Sequence, residues 1–383
     1  ELGSKYPHAG GSYNFLRMSY SAHGLGRFMS FLLIWQTMIQ APLVIASGAI
    51  GFSQYLTYLI PLSSIAQKSV SGLVVIALTF LLYRKIDEVG KISIMLWIGV
   101  IGTLLWLILG GVTHFNSTLY HQSTSMPPTF SILFFGALGH ASVQTIYCYL
   151  GYYNVCQVGG EVKSPEKIIP KSIFISVIVI GALYLLLNVC VLGVIPVDVA
   201  VQSNFIVSKF VEIIYGSTAA KTVTLLILWI AFASLFSVML GYSRVLFAAA
   251  KDGNFFKIFA SIHPEKHFPH ISLLALGAVA FVFSLLFKLK EVIIAIMAMR
   301  ILVQFVGQSI GLILLHLNEP KSAFPFRMKL FPLPVIASII FWMLVFFSTG
   351  TSFILSGLGS IALGITVFVI REKVLGNRAA KIP

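Results

Sequence analysis

Residues 172–197 read SIFISVIVIGALYLLLNVCVLGVIPV, and the reading of this stretch decides the fold. It holds no Asp, Glu, Lys or Arg and exceeds the roughly 20 apolar residues that cross a bilayer core. A helix on the surface of a water-soluble body keeps a charged face toward solvent. This one has none to offer. Charge-free runs recur outward from it, at residues 28–67, 92–160, 222–243 and 330–370. The longest must hold two crossings, divided by the polar, Pro-containing residues 113–129. Outer-membrane strands would instead be about ten residues long with alternating polarity, a pattern absent here. Composition agrees: 58% of the 383 residues are hydrophobic and 10% charged, against about a quarter charged in soluble domains. The mean hydropathy is +0.94.

The expected architecture is therefore an all-α polytopic membrane protein whose partner is the lipid bilayer, with a single transmembrane domain over residues 1–370. Spans are expected at 28–56, 69–83, 92–111, 129–158, 172–195, 222–248, 271–287, 291–315, 333–348 and 351–370, with a short, basic, poorly ordered tail at 371–383. The net charge of +14 would suit a nucleic-acid surface if the basic residues shared one face. They are spread between the spans instead. With alternating crossings, Lys68, Lys209, Lys221, Lys288 and Lys290 fall on one side, Arg300 falls inside a span, and every other Lys and Arg falls opposite. The positive-inside rule makes that opposite side cytoplasmic, with the first residues, the 251–270 loop and the C-terminus there. The charge marks topology in a plasma (inner) membrane, and nucleic acid is excluded as a partner. Cys148, Cys156 and Cys190 lie within or beside spans, so no disulfide framework is implied. Asn116-Ser117-Thr118 fits a glycosylation sequon on the expected outer side.

The span at 129–158 is unusual. It ends Tyr147-Cys148-Tyr149-Leu150-Gly151-Tyr152-Tyr153-Asn154, with a Gly and an Asn where a continuous helix prefers Leu or Ala. A broken helix at membrane depth is tolerated where it lines a cavity or lies buried in protein, and transporters present such breaks to their substrates. A long tilted helix with an aromatic inner belt is the alternative. Beyond it, Ser164-Pro165-Glu166 has the residues of a helix start: an N-cap oxygen, a Pro at the first position and an acid in the first turn. A short surface helix is expected there.

Several motifs together resemble one family, the amino acid–polyamine–organocation permeases. Tyr149-x-Gly151-Tyr152-x-Asn154, followed by Glu161-Val162-Lys163-x-Pro165-Glu166-x-Ile168-x-Pro170, resembles its sixth helix and following loop. The run from Gly241-Tyr242-Ser243-Arg244 to Lys251-Asp252-Gly253, with His263-Pro264 and Pro269 after it, is similar to its eighth helix and cytoplasmic loop. The opening Glu1-Leu2-Gly3, Pro7 and Ala9-Gly10-Gly11-x-Tyr13 is similar to the loop between its second and third helices. The matches occur in order across nearly the whole chain. The resemblance implies a five-plus-five inverted repeat plus two C-terminal helices, with substrate held at mid-membrane between the first and sixth helices. The spans seen here would be the third to twelfth. Because the chain opens inside a loop motif, it is expected to be N-terminally incomplete, its first two helices missing and with them the Gly-rich break whose amides hold the substrate carboxylate.

The candidate substrate residues are Cys148, Tyr149, Leu150, Gly151, Tyr152 and Asn154 at the break, with Gln144 one turn before it and Gln36 on the first span. Freed carbonyls there would accept from a substrate ammonium, and Tyr149 and Tyr152 would cover it by cation–π contact. Core packing by aromatics is the competing reading. Four residues are candidates for a coupling ion. His140 suits a proton or, alternatively, is a core His bonded to Gln144. Arg300, charged inside a span at a cost of about 2.5–3.5 kcal/mol, needs a polar partner, a cavity, a substrate carboxylate or a route to the surface. Ser234 and Ser237, one turn apart, suit a sodium ion, though hydroxyls in membrane helices more often bond the preceding turn. Ile98-Gly99-Val100-Ile101 lacks the Lys that some proton-coupled members carry on the fifth helix, which leaves H+ and Na+ both open. Gln36 and Gln40 share a helix face, and polar contact between helices competes with a binding role.

The function expected is a secondary active transporter moving an amino acid by alternating access, as symporter or antiporter. No Asp or Glu occurs from 92 to 160, which favours a neutral amino acid over polyamines and other organocations. A transport-inactive sensor is the alternative from another class. An enzyme is not expected: the His residues are scattered and no H-E-x-x-H pattern occurs. No cofactor or metal is expected.

Overall fold

The computed structural model describes residues 1–7, 10–84, 86–124, 131–156, 162 and 164–379. Every regular element among them is helical. In chain order these are α1 Leu2–Lys5, α2 Ser12–Ser19, α3 Gly26–Leu56, α4 Ser64–Leu82, α5 Ile86–Thr113, α6 Ser117–Thr124, α7 Ile132–Tyr149 and α8 Pro165–Leu192. There follow α9 Val197–Gln202, α10 Ile206–Tyr215, α11 Ser217–Lys251, α12 His270–Leu286, α13 Leu289–Arg300, α14 Gly307–Asn318, α15 Leu333–Phe347 and α16 Thr351–Ala379. Six of these are long and apolar enough to cross a membrane, namely α3, α4, the 94–113 part of α5, α8, α11 and the 351–374 part of α16. The helices α12 and α15 are shorter and apolar.

Local chemistry sets the ends. Ser63 caps α4 by accepting from Ala66 N at 3.3 Å, and Ser131 caps α7 by accepting from Phe134 N at 3.2 Å. Asn116 of the sequon accepts from Thr118 N and Leu119 N to start α6. The short surface helix expected at Ser164 is instead the first turns of α8. That helix starts at Pro165 and runs through Pro170 to Leu192, while Ser164 is left-handed and makes no cap bond with its hydroxyl. Pro170 removes only the bond to the Glu166 carbonyl, too little to stop a helix with so long an apolar run ahead. The last helix continues past residue 370 to Ala379, so the expected tail is helical that far. Of the motif residues, Ala9, Glu161 and Lys163 lie outside the described set, as do 129–130 and 157–158 of the fourth expected span and 380–383 of the tail.

Packing sorts the helices into two kinds. The apolar window of α3 is 67% buried and that of α8 only 6%. The helix α3 is the centre of a scaffold with α4, α11 and α12, whose core includes Phe31, Ile34, Leu78, Phe236, Met239, Leu246, Leu273 and Ala280. The short helix α2 lies under it, with Tyr13 and Leu16 in the same core. By contrast α8 exposes Phe174, Ile178 and Leu185, a helix apolar all round whose solvent is hydrocarbon. Small residues and hydroxyls join the helices where backbones approach. Ser71 donates to Ser53 at 2.8 Å, and Trp229 donates to Leu96 O at 3.2 Å over Gly99.

Candidate functional site

The site grows from the end of α7. That helix stops at Tyr149, Leu150 turns extended (φ −60°, ψ 134°), and Gly151 takes φ +112°. A side chain is strained at that φ, so the Gly at this position is what lets the chain leave the helix. A tight turn follows, closed by Asn154 N to Gly151 O at 2.8 Å. Two of the carbonyls released at the helix end are already satisfied. Tyr147 O accepts from Leu150 N at 3.2 Å, and Cys148 O accepts from the Tyr184 hydroxyl of α8 at 3.0 Å. The Cys148 carbonyl, one of those expected to face a substrate ammonium, thus already holds one hydrogen bond and keeps a second lone pair.

Two cavities meet at this break. One, of about 270 Å³, is walled by Val44 and Gly48 of α3, by Tyr147, Cys148, Leu150, Gly151, Tyr153 and Asn154 around the break, by one face of α11 and by Arg300. At roughly 30 Å³ per water, it has room for one solute of amino-acid size. The other, of about 620 Å³, lies between α5, α8, α11 and the break. Cys148, Leu150, Gly151, Ser234 and Ser237 line both. Asn154 and Arg300 line the first, while Tyr149 and Tyr152 line the second. The rings of Tyr149 and Tyr152 meet those of Tyr184 and Tyr153 edge-on, at 5.2 and 5.0 Å.

The remaining candidates sit elsewhere. His140 and Gln144 are exposed on α7, line neither cavity and make no bond to each other. The reading of His140 as a core residue bonded to Gln144 is thereby corrected: both residues are exposed. Gln36 is buried at 1% exposure, and neither end of its amide finds a protein partner among the described residues. Such an amide is costly to bury.

Arg300 is the charge of the site. Only 2% exposed, it does not reach a surface. Its guanidinium donates to the hydroxyls of Tyr153 and Tyr242. With the Gln40 amide turned oxygen-first, it also donates to that oxygen. The Tyr153 ring lies 5.5 Å from the guanidinium carbon. Among the described residues Arg300 has no ion pair, and no acidic residue lines either cavity. Immediately after it the helix widens into a π turn, Ile301–Val306, before α14, a local irregularity frequent at functional sites. Its Gln304 donates to Ser12 Oγ of α2 at 3.2 Å. Beneath Arg300 a small cavity of about 20 Å³ is walled by Ser12 and Tyr13, Thr37, Gln304, Tyr153 and Tyr242.

Sequence reasoning missed Tyr147, Tyr153 and Tyr242 as lining residues and, for Gln40, weighed helix contact against a binding role without seeing Arg300 as its partner. A signal existed for Tyr242, which follows Ser234 and Val238 at helical spacing on one face of α11. None existed for the pairing with Arg300.

The family model that matches describes an amino acid permease and covers residues 1–370. The chain is 24% identical to the branched-chain amino acid permease BcaP of Bacillus subtilis (strain 168), over 97% of its own length and 81% of that protein's. It is 25% identical to the serine/threonine exchanger SteT of the same organism, over 76% of this chain and 66% of that one. The aspartate-proton symporter of that organism is 23% identical, over 89% of this chain and 68% of its own length.

Proposed function

Because the chain belongs to the amino acid permease family, we propose that it moves a neutral amino acid across the plasma membrane by alternating access, with the 270 Å³ cavity as its substrate chamber. The protein is an integral, multi-pass membrane protein and an amino acid transporter rather than an enzyme. The observation that carries the mechanistic reading is the break at Gly151, which puts non-helical backbone against a chamber walled by the scaffold helices α3 and α11. Non-helical backbone at membrane depth belongs beside a cavity or within protein.

In this reading residues 148–151 and Asn154 touch the substrate, and Ser234 and Ser237 face it across the chamber. Arg300 without an acidic partner disfavours a cationic substrate by like-charge repulsion in a medium of low dielectric. A relative named as a branched-chain amino acid permease supports a neutral one. Either a proton or a sodium ion drives uptake. The relative named as an aspartate-proton symporter supports the first, and the paired hydroxyls of Ser234 and Ser237 support the second. Ten crossings by α3, α4, α5, α7, α8, α11, α12, α13 with α14, α15 and α16 leave the C-terminus cytoplasmic.

Reconstitution into liposomes and uptake of a panel of labelled amino acids, with and without a proton or sodium gradient, tests this. Accumulation of a neutral amino acid, raised by one of the gradients, is the expected result. Binding without uptake under every gradient points to a sensor instead, and uptake confined to polyamines overturns the substrate assignment.

A further inference from the structure

The small cavity beneath Arg300 gathers hydrogen-bond donors that still lack an acceptor. Its walls include Arg300, Tyr153, Tyr242, Ser12 and Gly10, and no Asp or Glu. A guanidinium has five N–H groups. With the Gln40 amide turned oxygen-first, Nε and Nη2 of Arg300 donate to that oxygen, Nη2 donates also to the Tyr242 hydroxyl, and Nη1 donates to the Tyr153 hydroxyl. The second N–H of Nη1 has no acceptor among the described residues. Both phenol oxygens accept in these bonds, so each keeps its own proton to give. Ser12 Oγ likewise accepts from Gln304 and keeps its proton.

Two positive fields converge on the same space. Arg300 is buried and has no ion pair among the described residues. A buried charge is costly unless an opposite charge accompanies it, and its neutral acceptors leave the charge in place. A water molecule would leave it too. Gly10 and Ser12 stand at the N-terminal end of the eight-residue helix α2, whose N-cap Gly11 offers its first amides no side chain. That end of a helix carries partial positive charge.

Size narrows the occupant. The cavity is about 20 Å³, and one water-sized sphere needs about 10–15 Å³. A monatomic ion fits, whereas a phosphate or the carboxylate of an amino acid does not. We propose that this cavity is a chloride site, in which the ion is the counter-charge of Arg300. The chloride accepts from the spare N–H of Nη1, from the phenols of Tyr153 and Tyr242 and from Ser12, with the N-terminus of α2 beyond. It thereby joins α2, α11, the end of α13 and the turn after α7. Arg300 also lines the 270 Å³ chamber and stands between it and the ion, so the chloride weakens the repulsion of a cationic substrate without removing it.

The experiment measures binding of radiolabelled chloride to the purified protein in sodium gluconate at fixed ionic strength, with melting curves alongside. Saturable binding of one chloride per chain, displaced by bromide, is the expected result, together with a melting temperature that rises as chloride replaces gluconate. Arg300→Gln removes the charge and abolishes both effects. Tyr242→Phe and Ser12→Ala each remove one donor and weaken chloride binding about tenfold. Absence of saturable binding in the wild type overturns the proposal, and so does binding that survives Arg300→Gln. If Arg300→Gln fails to fold, Tyr242→Phe and Ser12→Ala carry the test: unchanged chloride affinity in both, in proteins that melt like wild type in gluconate, overturns it. No substrate enters the measurement, so its outcome is separate from that of the transport assay.

Discussion

The hydroxyls of Ser47 and Tyr147 lie 2.5 Å apart, and this contact joins the most buried helix of the scaffold to the last turn of α7 before its break. It is the side chain, rather than the backbone, that ties the two together here. The position of residues 148–151 therefore depends on it.

Tyr147→Phe removes that bond and leaves Ser47 its bond to Val44 O at 2.7 Å, so about 1 kcal/mol is lost. The melting temperature in detergent is expected to fall by about 2 °C and KM for uptake to rise severalfold, with maximal rate kept. If neither changes, the contact does not position the break.

Gly151→Leu places a side chain at φ +112°, with its Cβ 3.3 Å from Asn154 Nδ2. The strain is about 1–3 kcal/mol, and the turn must open to relieve it. Uptake should drop at least about tenfold while the amount of protein in the membrane stays normal. Full uptake by this variant would rule the break out of the substrate site.

His140→Gln is expected to retain uptake and its pH dependence, because the ring is exposed on α7 and lines neither cavity. Transport measured from pH 5 to 8 brackets the ordinary His range of about 6.5. A flattened profile in the variant would restore His140 as the proton carrier.

Gly48→Val would bring a Cβ to 2.6 Å from Leu235 Cδ2, a side chain 3% exposed that would have to be pushed into the chamber it lines. Overpacking of this kind costs about 1–3 kcal/mol. The monodisperse yield on size exclusion should fall sharply. Gly51→Val, one turn on, meets only Leu289 at 3.9 Å and is expected to behave as wild type. Equal yields would show that α3 and α11 are not held at this approach.

The break itself was legible. A Gly set among Tyr149, Tyr152 and Tyr153 near the end of a charge-free run is a local departure from helix-forming composition, and the backbone answers it locally. The residues lining the chamber were legible only in part. Helices such as α8 and α11 are apolar on every side, so the 3.6-residue period, which marks the inner face of a soluble helix, says little about which side faces protein. His140 was singled out because it is the ionisable group of its span, and no periodicity was there to say which side it faces. The interruption after Arg300 was invisible for a similar reason: residues 301–306 have the composition of an ordinary apolar helix.

What the sequence determined by itself was the solvent and the order of the helices. Each charged residue carries its own penalty in hydrocarbon, so their absence over long runs is decisive without any contact being known. The surroundings of Arg300 were decided by tertiary structure alone. The sequence states that a buried charge needs partners, but Gln40, Tyr153 and Tyr242 lie on α3, the turn after α7 and α11. Which polar groups meet that guanidinium depends on how those three elements pack against α13, because a hydrogen bond acts over about 3 Å and neutral partners leave no mark of their pairing along the chain.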